Sequence, residues 1–158
     1  MNVSELMTLN VQACSIHDNL QRAAQVMWET DCGSVPIVDD ELRVVGMLTD
    51  RDICMAGFTQ GKVYADIPVT SAMSKQVFGV GRNDLIETAE ALMRSKRIHR
   101  LPVLDGGGRL RGILSLNDIA RHTQRTHRQR NGLSGDTIAQ TLAAICEPHA
   151  QKSMGGPS

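Results

Sequence analysis

Residues 32–53 (CGSVPIVDDELRVVGMLTDRDI) and residues 98–119 (IHRLPVLDGGGRLRGILSLNDI) are two copies of one pattern, offset by 66 positions without a gap. Pro36 aligns with Pro102, Asp39 with Asp105, Arg43 with Arg109 and Gly46 with Gly112. Leu48, Asp52 and Ile53 align with Leu114, Asp118 and Ile119. The register continues upstream, pairing Met7 with Met73, Val11 with Val77, Asp18 with Asp84, Ala23 with Ala89 and Met27 with Met93. Repetition at a fixed period means two supersecondary units that need each other to bury a core. The 158 residues suffice for one well-buried core, whereas a 66-residue half alone would be marginal. The expectation is one α/β (α+β) domain built from two repeats, where whatever one copy holds can be held twice.

Each repeat reads as strand, helix, strand, strand, helix. Val11 and Val77 fall in short entry strands. Asp18 with Gln21, and Asp84 with Glu87, have capping-box spacing for a following helix. Leu20, Ala23, Ala24 and Met27 recur at helical spacing, as do Leu85, Ile86, Ala89, Leu92 and Met93. Val35–Val38 and Leu101–Leu104 are apolar runs bounded by proline and aspartate, hence buried strands. The turns Asp39-Asp40-Glu41 and Asp105-Gly106-Gly107-Gly108 follow, the triple glycine reading as a flexible hairpin tip. The next strands cover Arg43–Leu48 and Arg109–Leu114, each running directly into a second helix. Organisation along the chain is then repeat 1 at 3–57, a linker at 58–68, repeat 2 at 69–124, and a C-terminal region at 125–158. That last region holds the end of a basic segment (RHTQRTHRQR, residues 121–130), an amphipathic helix over 134–145 and a disordered tail.

No apolar stretch approaches the roughly 18 residues of a membrane span, and the N-terminus lacks the basic and apolar blocks of a signal peptide. A cytoplasmic location is expected. Cys14, Cys32, Cys54 and Cys146 show neither CxxC nor zinc-ligand spacing, so free thiols and no metal are expected. Aromatic content of 3% argues against base-stacking on nucleic acid. The formal net charge is zero, yet residues 1–78 carry ten acidic and five basic side chains, and residues 79–158 carry seven acidic and twelve basic. That asymmetry suits a homodimer with an acidic repeat set head-to-tail against a basic one.

Chemistry concentrates at the strand-to-helix junctions, Gly46-Met47-Leu48-Thr49-Asp50-Arg51-Asp52 and Gly112-Ile113-Leu114-Ser115-Leu116-Asn117-Asp118. Thr49 with Asp52, and Ser115 with Asp118, could serve only as capping boxes. Alternatively, the hydroxyl and the helix N-terminus could take phosphate while the carboxylate accepts from ribose hydroxyls. Gly46 and Gly112 would let a ligand approach the backbone. No GxSxG, HExxH or P-loop is present, and the five histidines are scattered, so no enzyme is expected.

The VPIVDD…VVGMLTDRDI and LPVLDGGGRLRGILSLNDI segments resemble a tandem pair of cystathionine β-synthase (CBS) domains, a Bateman module, over about residues 3–120. GMLTDRDI and AICEP are also similar to stand-alone bacterial CBS-pair proteins, some tied to hypoxic or stress responses. The resemblance implies two pseudo-twofold-related βαββα repeats with two clefts for adenosine derivatives such as AMP, ATP, NAD or S-adenosylmethionine. By position, Asp52 and Asp118 would hold ribose, and Thr49 and Ser115 would touch phosphate. Ser34 and Val35, with Arg100 and Leu101, would edge the adenine pockets. Arg51 would add charge at the first site and Arg100 at the second, which is expected to favour phosphorylated ligands. The implied function is a regulatory sensor acting on a separate protein partner. The alternative is a dimeric interaction or stress protein with empty clefts or a metal or redox role.

Overall fold

A computed structural model describes residues 1–126 and 135–146. The first repeat contains β1 (Cys14–Ser15), α1 (Leu20–Glu29), β2 (Ser34–Val38), β3 (Val44–Thr49) and α2 (Asp50–Gln60). The second contains β4 (Val80–Gly81), α3 (Ile86–Lys96), β5 (Arg100–Leu104), β6 (Leu110–Ser115) and α4 (Leu116–Thr126). Helix α5 (Gly135–Cys146) follows. Each repeat forms a three-stranded sheet, in the orders β1-β2-β3 and β4-β5-β6, with the first pair parallel and the second antiparallel. Among the described residues no helix is long and apolar enough to cross a membrane.

Local departures from the sequence reading are small and have causes. The entry strands lie three residues later than Val11 and Val77. Asn19, not Asp18, caps α1 by accepting the Arg22 amide at 3.0 Å. Asp18 instead accepts the Ser15 amide at 2.8 Å, and its counterpart Asp84 accepts that of Gly81 at 2.8 Å. The aligned aspartates therefore hold the turn before the helix rather than starting it. Helix α2 runs to Gln60, into the segment read as linker, and stops at Gly61, whose φ of 61° suits glycine. The end of the basic segment and the C-terminal tail lie outside the described residues.

The sheets are tied together by an exchange of leading segments. Thr8 pairs with Ile113 of the second sheet, and Ser74 pairs with Met47 of the first. Val3 and Met7 accordingly sit in a core with Val80, Ile86, Met93, Leu101, Leu114, Ile119 and Ile145. Ile67 and Val69 sit in the other core with Cys14, Leu20, Val26, Ile37, Leu48 and Ile53. Each core thus takes apolar groups from the chain that leads into the other repeat. At the opposite end the two hairpins meet. Arg43 bridges its own counterpart Arg109, Val44 donates to the Gly108 carbonyl at 3.0 Å, and Leu110 donates to that of Leu42 at 3.4 Å. These reciprocal bonds place a pseudo-twofold axis between Arg43 and Arg109. The triple-glycine tip is therefore pinned at Gly108. Backbone amides of Arg43 and Arg109 donate to Asp39 and Asp105 and hold both carboxyls below the usual range.

The exchange also explains the repeated glycines. A methyl group on Gly112 would stand 2.8 Å from the Thr8 carbonyl oxygen, and one on Gly46 would stand 2.5 Å from the Met73 sulfur and 3.0 Å from the Ser74 carbonyl oxygen. The space at these glycines is filled by the crossing strand and not by a ligand. Gly112→Ala is expected to lower stability by about 1–3 kcal/mol, as overpacking does, read as a fall of several degrees in thermal melts. Gly106→Ala, with nothing within 4 Å of the added methyl, is the control and should change little. Equal losses in the two variants would remove the crossing strand as the cause.

Candidate functional site

Strand register brings the motif residues to two clefts. Pairing of β2 with β3 sets Ser34 opposite Thr49, and pairing of β5 with β6 sets Arg100 opposite Ser115. Helices α2 and α4 start immediately after these hydroxyl residues. Thr49 Oγ1 donates to Asp52 Oδ2 at 2.7 Å, and the same oxygen accepts the Thr49 amide at 2.9 Å. Ser115 Oγ donates to Asp118 Oδ2 at 2.6 Å, with the Ser115 amide at 2.9 Å. The Asp52 and Asp118 amides donate back to the hydroxyls at 3.1 and 3.2 Å. Both motifs are thus capping boxes. That assignment uses only one carboxylate oxygen of each aspartate.

The other oxygen distinguishes the repeats. Arg121 donates to Asp118 Oδ1, so both Asp118 oxygens are engaged. Asp52 Oδ1 has no hydrogen bond among the described residues. Repeat 1 has Met55 where repeat 2 has Arg121, so the difference follows from one position. The DxxR spacing of Asp118 and Arg121 was the available signal, and the repeat alignment hid it by matching Asp118 with Asp52.

The first cleft, about 530 Å³, is lined by Ser34, Thr49, Arg51 and Asp52 of repeat 1, by Ser74, Gln76 and Phe78 of the crossing segment, and by Arg97, His99 and Arg100 of repeat 2. The second, about 330 Å³, is lined by Ser115, Asn117, Asp118 and Arg121, by Thr8, Asn10 and Gln12 of the other crossing segment, and by Asp31, Cys32, Ser34 and Arg100. Both volumes suit a small ligand. The crossing-segment residues went unnoticed in the sequence because their partners are remote along the chain. Arg100 lines both clefts, so it is not a charge reserved for the second. The first cleft has Arg51, Arg97 and Arg100 against Asp50 and Asp52, while the second has Arg100 and Arg121 against Asp31 and Asp118. Val35 and Leu101 are fully buried in the two cores and line neither cleft, because those strand positions face inward.

The cysteines are free thiols. Burial pushes the Cys14 thiol up to about 11, so it packs as a small apolar group. Cys54 and Cys146 are exposed, and the half-buried Cys32 donates its S–H to the Ser34 carbonyl at 3.2 Å. Maleimide labelling of the native protein is expected to modify Cys54 and Cys146 first and Cys14 only after unfolding, because the thiolate is the reactive form. Mass mapping that finds Cys14 labelled as fast as Cys54 would contradict this. Among the described residues no group of three His, Cys, Asp or Glu side chains is placed to hold a metal ion.

Comparison with known proteins agrees with this architecture. The chain matches the CBS domain family at residues 3–58 and again at 65–125. It is 34% identical over 149 residues to hypoxic response protein 1 of Mycobacterium tuberculosis, covering 94% of this chain and 96% of that one. The crystal structure of Hypoxic Response Protein I with two coordinated zinc ions superposes with a TM-score of 0.71 at 34% identity, covering 77% of this chain and 98% of the other. The crystal structure of CBSX2 in complex with AMP gives a TM-score of 0.71 at 25% identity, covering 80% and 98%. Two family matches in succession, on two sheets whose leading segments cross to the opposite repeat, show that this chain belongs to the CBS-domain family as a tandem CBS pair.

Proposed function

We propose that the protein is a non-catalytic regulatory module that binds an adenosine derivative and signals to a separate partner in the cytoplasm. The first cleft is the principal site. One observation carries this reading: Asp52 keeps Oδ1 uncommitted beside a helix N-terminus and two guanidiniums, Arg51 and Arg100, that form no side-chain hydrogen bond or ion pair among the described residues. Such a carboxylate can accept from ribose hydroxyls while the arginines and the α2 amides take phosphate. In the second cleft Asp118 must first release Arg121. The AMP in the CBSX2 complex supports the ligand class. The preference expected for the second cleft therefore passes to the first.

Calorimetric titration with adenosine, AMP, ATP, NAD and S-adenosylmethionine tests this. Binding tighter than about a millimolar by at least one is expected. Binding by none would end the sensor reading. The zinc in the Hypoxic Response Protein I structure supports a second reading, a metal-holding stress protein. Native mass spectrometry separates the two by showing retained nucleotide or stoichiometric zinc.

The working unit in this reading is a homodimer. Charge alone would set repeat 1 against repeat 2. However, α5 lies over α3 and α4, with Ile138 and Ile145 packed on the second core and Arg94 donating to Thr141. In repeat 1 the position equivalent to Arg94 carries exposed Trp28, and Phe58 of α2 is exposed as well. Repeat 1 is accordingly placed against repeat 1.

A further inference from the structure

Ser34 and Arg100 occupy equivalent positions in the two repeats, yet each lines both clefts. Equivalent residues can do this only where the clefts come together near the pseudo-twofold axis. The chemistry at that junction is unequal. Ser34 is 6% exposed, and its hydroxyl is buried without a hydrogen-bond partner. A buried hydroxyl left without a partner carries a desolvation cost that a ligand oxygen would relieve. Arg100 extends from β5 across to repeat 1, where its Nη1 comes within 3.7 Å of the position a Gly33 Cβ would occupy. Its guanidinium forms no hydrogen bond or ion pair among the described residues. One donor fork and one buried hydroxyl thus stand between two cavities.

We propose that Ser34 and Arg100 form an axial anion subsite shared by the two clefts, so that phosphate-bearing ligands in the two clefts compete for one guanidinium. The inference rests on the nucleotide reading above and adds a coupling between the clefts. A phosphate monoester carries nearly two negative charges at neutral pH, and one guanidinium offsets only one of them. Two phosphates converging on Arg100 would repel each other in a partly desolvated space. Uncharged adenosine has nothing to contest there. The protein would then discriminate by charge: two nucleosides fit together, but a first nucleotide disfavours a second. A partner sensing which clefts are filled would read phosphate content and not adenine alone.

Calorimetry on chains with one cleft filled by a side chain tests the proposal. Gln76 lines only the first cleft and Gln12 only the second, and both are exposed. In Gln76→Trp and in Gln12→Trp alike, adding Arg100→Gln should weaken AMP by at least about tenfold while changing adenosine by less than about threefold. Ser34→Ala, which keeps the packing, should weaken AMP in both chains in the same direction. In the wild-type chain, the gap between first and second binding should be at least about tenfold wider for AMP than for adenosine, because the unequal ribose carboxylates affect both ligands and only AMP brings phosphate to Arg100. Loss confined to one filled-cleft chain, a parallel loss of adenosine, or a gap between first and second AMP no wider than that for adenosine would each overturn the shared subsite while leaving nucleotide binding intact. If neither adenosine nor AMP binds any chain, the nucleotide reading fails and the shared subsite fails with it.

Discussion

Asp52→Ala is expected to weaken AMP binding by about ten- to hundredfold, the equivalent of losing a charge-assisted hydrogen bond worth roughly 1.5–3 kcal/mol. The same substitution removes the α2 capping box and should lower stability by about 1 kcal/mol. Asp118→Ala removes the matching box in α4 and should lower stability by a similar amount. Its effect on the tighter AMP site should be small, because both Asp118 oxygens already have partners in the protein. The pair of variants therefore separates capping from ligand binding. Each serves as the other's stability control, since the two boxes have nearly the same geometry. If both variants melt lower and neither changes AMP affinity, the motifs are helix caps and nothing more. A loss of AMP affinity in Asp118→Ala with none in Asp52→Ala would return the principal site to the second cleft.

The repeat was legible because its apolar positions and turn residues are local. Pro36 and Pro102, Asp39 and Asp105, and the apolar runs beside them lie within one hairpin each, so composition and spacing were enough to find β2, β3, β5 and β6. The boundary errors arose where two neighbouring residues suit one role. Asp18 and Asn19 are both good caps, and the backbone gave the cap to Asn19 and the preceding turn to Asp18. What stayed hidden was non-local. Gly46 and Gly112 looked like places for a ligand because their true neighbours, Met73 and Met7, lie 27 and 105 residues away in the chain. The exchange of leading segments brings Thr8, Asn10 and Gln12 to one cleft and Ser74, Gln76 and Phe78 to the other. For the same reason Arg100 was assigned to one site although it serves the wall of both. Val35 and Leu101 were placed beside the ligand by sequence position, whereas their inward-facing positions commit them to the cores.

Trp28→Arg combined with Phe58→Lys is expected to convert a dimer into a monomer at micromolar concentration. Trp28 is 88% exposed on α1 and Phe58 is 80% exposed on α2. Burying a large apolar side chain is worth roughly 1.5–3 kcal/mol, and a twofold interface uses each side chain twice. Losing four such groups while adding four charges exceeds what most interfaces of standard size can absorb. The pseudo-twofold shows that such a face can be satisfied: at the position equivalent to Trp28, repeat 2 has Arg94, which donates to Thr141 of α5. A covering helix and a polar contact occur there, and a bare indole occurs here. Because α5 already covers α3 and α4, a head-to-tail dimer would have to form on the outer side of α5, where Leu142 is exposed. Leu142→Arg is therefore the matched control. Sedimentation velocity should show a wild-type dimer, a Leu142→Arg dimer and a monomeric Trp28→Arg, Phe58→Lys chain. A dimer broken by Leu142→Arg and kept by the double substitution would establish the head-to-tail contact that the −5 and +5 charge balance of the two halves favours. A wild-type monomer would rule out both arrangements.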